Sequence, residues 1–529
     1  MSDKLSPYLL DTSLVDYTTA VVLESLRDRE NAVKRKRASS ALAFFEDILD
    51  SSKEVEKAQL DIFSKYSTAL SDTNAANPIL EAYHGAPSKT HTQPSEYDLT
   101  PAQRVLTLPD TLDVIFSHIT TLSKSTRDTL HAAALTSVSL HYAAQLRLWR
   151  RPRDLDTIEQ QVRFAFGVAI SAALGEGLGV HVKRLRIRVM KGAWNARLVT
   201  KIVALCPSVV DLTLHWGDSE DGVENVTAES AQWLSKTLAL VPDLLYLNLA
   251  QYSYAQPTVG VTIPEDAHLP FSKLKELRIY GFHWYFDAIV RGLGANLTSL
   301  DIGYGTKLSP TQVIATARKL TSLTSLRFAG PLELDQLRLF VETAPGLESI
   351  DVEPFDDRDQ VYMADVYTTI AGLSAIKEVS VSVPAGPTQI TQLAKSPAPL
   401  EVLIFSITDI EDESAVKAAL LDLFTAKKTT LKRISERSGF QLSADDQLVE
   451  AFAATPTLER IDVTFDPERV ALSDATTKKL LTQCPRLGLT DGLSTLVAGK
   501  ALYGEKYKAA FEKAQAAEEE ELAEDILAN

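Results

Sequence analysis

Residues 297–328 read LTSLDIGYGTKLSPTQVIATARKLTSLTSLRF, and this stretch carries the pattern that decides the fold. Two segments of the form L-x-x-L-x-L begin at Leu297 and Leu323. Their alternating apolar residues predict strands that bury one face. The stretch from Pro310 to Leu320, between the two segments, has helical character. A helix that leads into a strand, repeated along the chain, predicts parallel strands with helices beside them.

The same segment recurs along most of the chain, which predicts an elongated array of repeats. Successive segments begin between 23 residues (Leu274 to Leu297) and 35 residues (Val209 to Leu244) apart. The first residues of the segments are Val182, Val209, Leu244, Leu274, Leu297, Leu323, Leu347, Ile376, Leu400, Leu431 and Leu458. Many segments follow a proline, which ends the preceding helix and turns the chain into the strand. These prolines are Pro207, Pro242, Pro345, Pro399 and Pro456.

The segments resemble irregular leucine-rich repeats. Regular repeats of that family carry an asparagine ladder after the strand, but the corresponding residues here include Met190, Phe282 and Gly305. We therefore expect uneven repeats. Glu436 stands at an apolar position of its segment, which predicts a distortion there.

A parallel solenoid buries the leucine positions and presents the residues between them on its concave face. The predicted concave row comprises Arg186, Arg188, Thr213, His215, Tyr246, Asn248, Arg278, Tyr280, Asp301, Arg327, Asp351, Glu353, Ser380, Asp462 and Thr464. From this row we predict a substrate-binding set: Arg186, Arg188, His215, Tyr246, Asn248, Arg278, Tyr280 and Arg327. The arginines suit an acidic or phosphorylated protein target, because guanidinium pairs carboxylate and phosphate in a fork. The alternative is that exposed strand positions are polar in any solenoid.

Residues 108–150, LPDTLDVIFSHITTLSKSTRDTLHAAALTSVSLHYAAQLRLWR, predict three short amphipathic helices. So short a module buries too little apolar surface to stand alone, so we expect part of it to face a partner. The segment resembles an F-box, the motif by which substrate receptors of SCF-type ubiquitin ligases bind the Skp adaptor. The residues that carry the resemblance are Leu108, Pro109, Leu112, Ile115, Phe116, Leu148 and Trp149. The sequence departs from the motif at Thr111 and Leu140.

The resemblance implies that these seven residues bind a Skp-type adaptor and, through it, a cullin, while the repeats bind a protein substrate. The chain would then be the substrate-recognition subunit of the ligase. The alternative is a non-catalytic scaffold in which the three helices cap the first repeat and the concave face holds a stable partner. Exposed Ile115, Phe116 and Trp149 would favour docking, whereas their burial against the helix from Phe164 to Leu174 would favour a cap.

Five regions follow from these patterns: an N-terminal helical arm (1–75), a flexible linker (76–104), the F-box-like module (105–155), the solenoid (156–489) and a C-terminal capping helix with an acidic tail (490–529). The predicted fold class is thus an α/β leucine-rich-repeat solenoid with helices outside, preceded by an all-α F-box-like module and a helical arm. The basic run Lys34 to Arg37 is either an import signal or a solvated helix face.

The 529-residue chain has a net charge of −16, which argues against a general nucleic-acid or membrane-surface binder. Its two cysteines, Cys206 and Cys484, are too few and too far apart in sequence for a disulfide framework, so we expect a cytoplasmic or nuclear setting. Both precede a proline at repeat positions, which favours packing over nucleophilic chemistry. The aromatic group at residues 283–286 is expected to pack between neighbouring coils, or to bind a partner if exposed.

Signatures of catalysis are weak. The glycines near Lys500 have the wrong spacing for a phosphate-binding loop, and Ala501 replaces the required Ser or Thr. The nine histidines form no metal-binding motif. We therefore predict no catalytic, cofactor-binding or metal-binding residues, and we expect a protein that is not an enzyme.

Overall fold

The structure, a computed structural model, describes residue 130 and residues 147–174, 177–190, 193–216, 228–251, 269, 271–282, 285–303, 306, 308–330, 332–353, 360–407, 413–438 and 441–484. The chain divides into two compact units, Met1–Leu293 (the N-terminal unit) and Gly294–Asn529 (the C-terminal unit). The predicted arm, linker, C-terminal helix and acidic tail lie outside the described residues, as does most of the F-box-like module.

The N-terminal unit alternates strands with helices. Its elements are α1 (Ile158–Leu174), β1 (Arg184–Val189), α2 (Ala193–Leu205), β2 (Asp211–Trp216), α3 (Ala228–Ala239), β3 (Tyr246–Gln251), β4 (Glu276–Tyr280) and α4 (Phe286–Gly292), with a 3-10 turn at Leu178–His181. The strands pair in parallel and in chain order, β1–β2–β3–β4.

The C-terminal unit continues the alternation. Its elements are β5 (Ser299–Ile302), α5 (Pro310–Ala317), β6 (Ser325–Ala329), α6 (Leu334–Thr343), β7 (Ser349–Glu353), α7 (Gln360–Ala371), β8 (Glu378–Pro384), α8 (Pro387–Lys395), β9 (Val402–Ser406), α9 (Glu413–Lys427), β10 (Arg433–Glu436), β11 (Leu442–Asp445), α10 (Asp446–Ala453), β12 (Arg460–Asp462), β13 (Phe465–Ala471) and α11 (Asp474–Gln483). The parallel strand order is β5–β6–β7–β8–β9–β10–β12.

Each predicted L-x-x-L-x-L segment contains one of these strands, so the predicted α/β leucine-rich-repeat solenoid is confirmed within each unit. The leucine positions form the core: Leu247 and Leu249 of β3 and Leu277 and Ile279 of β4 are almost completely buried. Each such side chain contributes roughly 1.5–3 kcal/mol on burial. Helix ends follow local signals, as at Ser309, whose hydroxyl caps α5 by accepting from the backbone N–H of Gln312.

The segment after Trp149 covers the outer edge of β1. Leu155 N–H donates to the Arg186 carbonyl at 2.9 Å, and Arg188 N–H donates to the Leu155 carbonyl at 3.1 Å. Buried Gln161 donates to the carbonyls of Leu155 and Arg188, at 3.1 and 2.6 Å, so these backbone groups are satisfied at the sheet edge. Residues 150–155, which the sequence assigns to the helical module, therefore cap the solenoid in the N-terminal unit.

The prediction of a distortion at Glu436 is wrong. β10 pairs with β9 in regular parallel register as far as Glu436. The buried carboxylate accepts from Ile407 N–H at 3.0 Å and Ser438 N–H at 2.7 Å, so local donors replace its hydration. The sequence patterns did not predict a second sheet, in which β11 and β13 pair in parallel.

Two expectations about packing are confirmed for the residues that the structure describes. Cys206 and Cys484 are buried free thiols, and burial raises the pKa of Cys206 to about 12 and that of Cys484 to about 11. From the aromatic group, Tyr285 and Phe286 are fully buried, and the Tyr285 hydroxyl lies 2.6 Å from the Ser235 hydroxyl. The other two residues of that group lie outside the described residues. Within the described ranges, no helix is both long enough and apolar enough to cross a membrane.

Lys427 is a buried cation at the end of α9. Its Nζ donates to the carbonyl oxygens of Ser396 and Ala398, the second at 2.9 Å. Burial lowers the pKa of Lys427 below its ordinary value of 10.5, because the charged ammonium loses hydration.

The pKa of Lys427 leads to a testable pH dependence. Because this pKa is lower in the folded protein, the unfolded chain binds the proton more strongly, and the Lys427 contribution to stability should increase as pH rises towards 10.5. We expect the free energy of unfolding of wild type, relative to Lys427→Met, to grow between about pH 7 and pH 10. Urea unfolding of both proteins across this range measures the difference, and a constant difference would contradict the pKa shift.

Candidate protein-binding face

The predicted substrate-binding residues of the N-terminal unit lie on one face of its sheet. Outward side chains of adjacent strands stand in register and form three rows. The rows are Arg184, Asp211, Tyr246 and Glu276; Arg186, Thr213, Asn248 and Arg278; and Arg188, His215, Ala250 and Tyr280. We call this side of each sheet the strand face. The structure therefore brings together seven of the eight predicted residues.

Tyr246 is the exposed aromatic side chain of this face, with 42% of its surface accessible. It stands between the two carboxylates Asp211 and Glu276 on the neighbouring strands. An exposed tyrosine combines a large apolar surface with a hydroxyl, which is the chemistry enriched at protein interfaces.

Three of the four arginines of this face are paired with carboxylates of the same unit. Arg186 Nη1 lies 3.0 Å from Asp154 Oδ2, and Arg278 Nε lies 2.6 Å from Glu276 Oε1. Arg184 Nε lies 3.3 Å from Asp211 Oδ2. An acidic target would have to compete with these internal pairs, so their charge gives little selectivity for phosphate.

Two titratable groups of the face are perturbed by partial burial. Burial lowers the pKa of His215, and the nearby Arg186 charge acts in the same direction, which favours the neutral imidazole. Burial raises the pKa of Asp211, against the opposing effect of Arg184. No group of three or more His, Cys, Asp or Glu in the described part of the chain is arranged to hold a metal ion.

The eighth predicted residue, Arg327, lies on the strand face of the C-terminal unit. Its row runs through Asp301, Arg327, Asp351, Ser380, Ile404, Ser435 and Asp462. Arg327 Nε lies 3.3 Å from Asp351 Oδ2 and 4.0 Å from Asp301 Oδ1. The arginine is thus held between two carboxylates in the sheet.

Several short residues of the predicted row are not exposed. Thr213, Asp301 and Ser380 are buried, although they point to the same side as their exposed neighbours. A short side chain on a flat sheet is covered when longer ones on adjacent strands lean over it. The sequence pattern gives the face on which a residue lies but not its exposure.

Among the predicted adaptor-binding residues, only Leu148 and Trp149 are described. Leu148 is half-buried, whereas Trp149 is buried, and its ring centroid lies 5.5 Å from that of Phe164 on α1. Burial of Trp149 against α1 is expected if the three helices cap the first repeat, so this observation favours the cap. Leu108, Pro109, Leu112, Ile115 and Phe116 lie outside the described residues.

The similarity of this chain to known proteins is to solved structures. No family model matches the chain, and no curated protein matches it. One similar solved structure is a TLR13–ssRNA13 complex, 13% identical with a TM-score of 0.29, over 54% of this chain and 40% of that one. This chain thus spans less than half of that protein's length. Another is the yeast Rad7 and Elc1 complex, 13% identical with a TM-score of 0.34, over 72% of this chain and 86% of that one. Both scores are low, so the fold assignment rests on the strand pairing.

Several residues of the face were not predicted from the sequence. Ala250, Ile404 and Ser435 belong to its rows, and counting two residues onward along each strand would have found them. Asp154 pairs with Arg186 from outside the repeats, and no sequence pattern signals that contact.

Proposed function

We propose that this chain is a non-catalytic protein-binding solenoid that serves as the substrate-recognition subunit of an SCF-type ubiquitin ligase. The observation that carries the protein-binding part is the strand face, where Tyr246 is exposed within a continuous field of polar side chains. A regular parallel sheet holds these side chains at fixed spacings, which lowers the entropy lost when a partner binds. The contribution of the chain to ubiquitin transfer is proximity.

The adaptor-binding part of the proposal rests on the resemblance of residues 108–150 to an F-box. With Trp149 packed on α1, this tryptophan positions the module rather than contacting the adaptor. The residues that contact the adaptor are then Leu108, Pro109, Leu112, Ile115 and Phe116, together with the exposed part of Leu148.

Capture of purified Skp adaptor tests this proposal. Wild type should retain the adaptor, whereas the combined Leu108→Ala, Pro109→Ala and Phe116→Ala variant should lose at least about tenfold in affinity, since removal of central apolar anchors costs most of the binding energy. Tyr246→Ala on the strand face is the control and should bind the adaptor as wild type does. Circular dichroism establishes that each variant is folded.

A second candidate function, a scaffold without ligase assembly, is favoured by the burial of Trp149 against α1. If wild type captures no adaptor under conditions in which a known F-box protein does, the helices are a cap and the scaffold function replaces the ligase proposal.

A further inference from the structure

An arginine spans part of the strand face in the C-terminal unit. Arg437 directly follows β10, and its backbone N–H donates to the Phe405 carbonyl of β9 at 2.9 Å. Its Nη1 nevertheless lies 4.0 Å from Asp351 Oδ1 on β7. Because β8 and β9 separate β7 from β10, the Arg437 side chain must lie across the face of these two strands.

The outward residues that follow Asp351 across these strands are small or apolar. Ser380, Ile404 and Ser435 follow Asp351 in the same row, and Ser406 lies further along β9. Each of the four is less than 9% exposed, although the first three point outward with Asp351. An outward side chain on a sheet open to solvent is buried only when another group lies over it. We call these four residues and Asp351 the β7–β10 strip.

The strip has an acceptor at one end. Asp351 accepts a hydrogen bond from the Ser380 hydroxyl at 2.6 Å, which fixes its carboxylate. Arg327 also lies 3.3 Å from it, so Asp351 stands between two guanidinium groups. A positioned carboxylate beside one isoleucine and three small serines suits the head and stem of an arginine or lysine side chain.

We propose that the β7–β10 strip is the docking site for an arginine- or lysine-bearing extended segment of a partner protein, and that Arg437 occupies this site in the unbound chain. The inference rests on the proposed protein-binding function and assigns the chemistry of the partner. The incoming cation takes the place of the Arg437 guanidinium at Asp351, while its stem packs on Ile404.

Charge complementarity supports a basic partner. Residues 294–529 contain 36 Asp and Glu against 23 Lys and Arg, so this unit holds 13 of the 16 net negative charges of the chain. Such a field attracts basic segments and raises their association rate. It repels acidic and phosphorylated ones.

Arg437 is suited to displacement. Its side chain is 37% exposed, and the 4.0 Å separation from Asp351 is that of an ion pair without a short hydrogen bond. Exposed pairs of this kind are weak, so a partner cation with more contacts can replace it.

The test uses the full-length protein and three fluorescein-labelled Gly/Ser peptides of equal length, each with three identical residues at alternate positions: arginine, glutamine or glutamate. Fluorescence anisotropy should show binding of the arginine peptide by wild type. Arg437→Ala should raise that affinity by up to about fivefold, because the internal competitor is gone. Asp351→Asn should lower it by at least about tenfold.

Arg338→Ala is the matched control. Arg338 is an exposed arginine of α6 that pairs with Asp335 and Asp365, each at 3.4 Å, so its removal changes the net charge by the same amount. We expect it to leave the affinity for the arginine peptide close to that of wild type. The proposal is overturned if the two arginine variants change affinity equally, if the glutamate peptide binds better, or if no arginine peptide binds.

Two further comparisons complete the design. If Asp351→Asn proves to be unfolded by circular dichroism, the contrast between Arg437→Ala and Arg338→Ala decides the question alone. Adaptor capture is measured separately, so a failed docking site leaves the ligase proposal standing, and a failed adaptor assay leaves the docking site standing.

Discussion

Trp149→Ala is expected to lower the free energy of unfolding by about 3–5 kcal/mol, the range found for large aromatic residues removed from cores. The indole is buried, its ring centroid lies 5.5 Å from that of Phe164, and a Cβ added at Gly167 would lie 3.3 Å from its ring. The backbone near Trp149 is hydrogen-bonded to β1 through Leu155, so the cavity left by the substitution cannot easily collapse. Urea unfolding followed by circular dichroism measures the loss.

Tyr246→Ala is the matched aromatic control for this experiment. Tyr246 lies on the exposed strand face of the same unit, and its removal should change the free energy of unfolding by less than about 0.5 kcal/mol. Equal losses in the two variants would mean that Trp149 does not anchor the module on α1.

Gly179→Ala is expected to have the second largest effect. It should lower the free energy of unfolding by about 3 kcal/mol, the upper end of the usual range for an overpacked core. Gly179 is buried in the 3-10 turn before β1, where an added Cβ would lie 2.0 Å from the Leu205 carbonyl oxygen and 2.9 Å from Val168 Cγ1. The oxygen belongs to backbone at the end of α2, so relief requires the helix to move. Thermal and urea unfolding report the change.

Gly346→Ala provides the comparison, because no described atom lies within 4 Å of the position where its Cβ would stand. Its stability should match that of wild type. If Gly179→Ala also leaves the free energy of unfolding nearly unchanged, then α2 can shift away from the turn at little cost in stability.

The strand face changes the interpretation of the arginine-rich repeats. From sequence, Arg186, Arg278 and Arg327 suggest an anion-binding row, because strand periodicity places them on one face. In the structure each of them is paired with a carboxylate: Arg278 with Glu276 of its own strand, and Arg186 and Arg327 with Asp154 and Asp351 of neighbouring segments. We propose that selectivity for a partner comes instead from Tyr246 in one unit and from the negative charge of the other.

The sequence by itself determined the repeat. Alternating leucines set which side of each strand is buried, and a proline ahead of many segments set where the strand begins, since both signals act within a few residues. Strands β1 to β10 and β12 follow from these local rules, whereas β11 and β13 do not. The same rules assigned Tyr246 and Arg278 to the outward face.

Only the tertiary structure decided which groups meet across that face. Arg437 and Asp351 are 86 positions apart in the chain, and Trp149 contacts Phe164 of α1, which lies 15 positions later. Glu436 lies buried in a regular strand because the backbone N–H groups of Ile407 and Ser438 converge on it. Such contacts depend on how successive repeats stack, and a periodic pattern contains no information about the partner that a long side chain reaches.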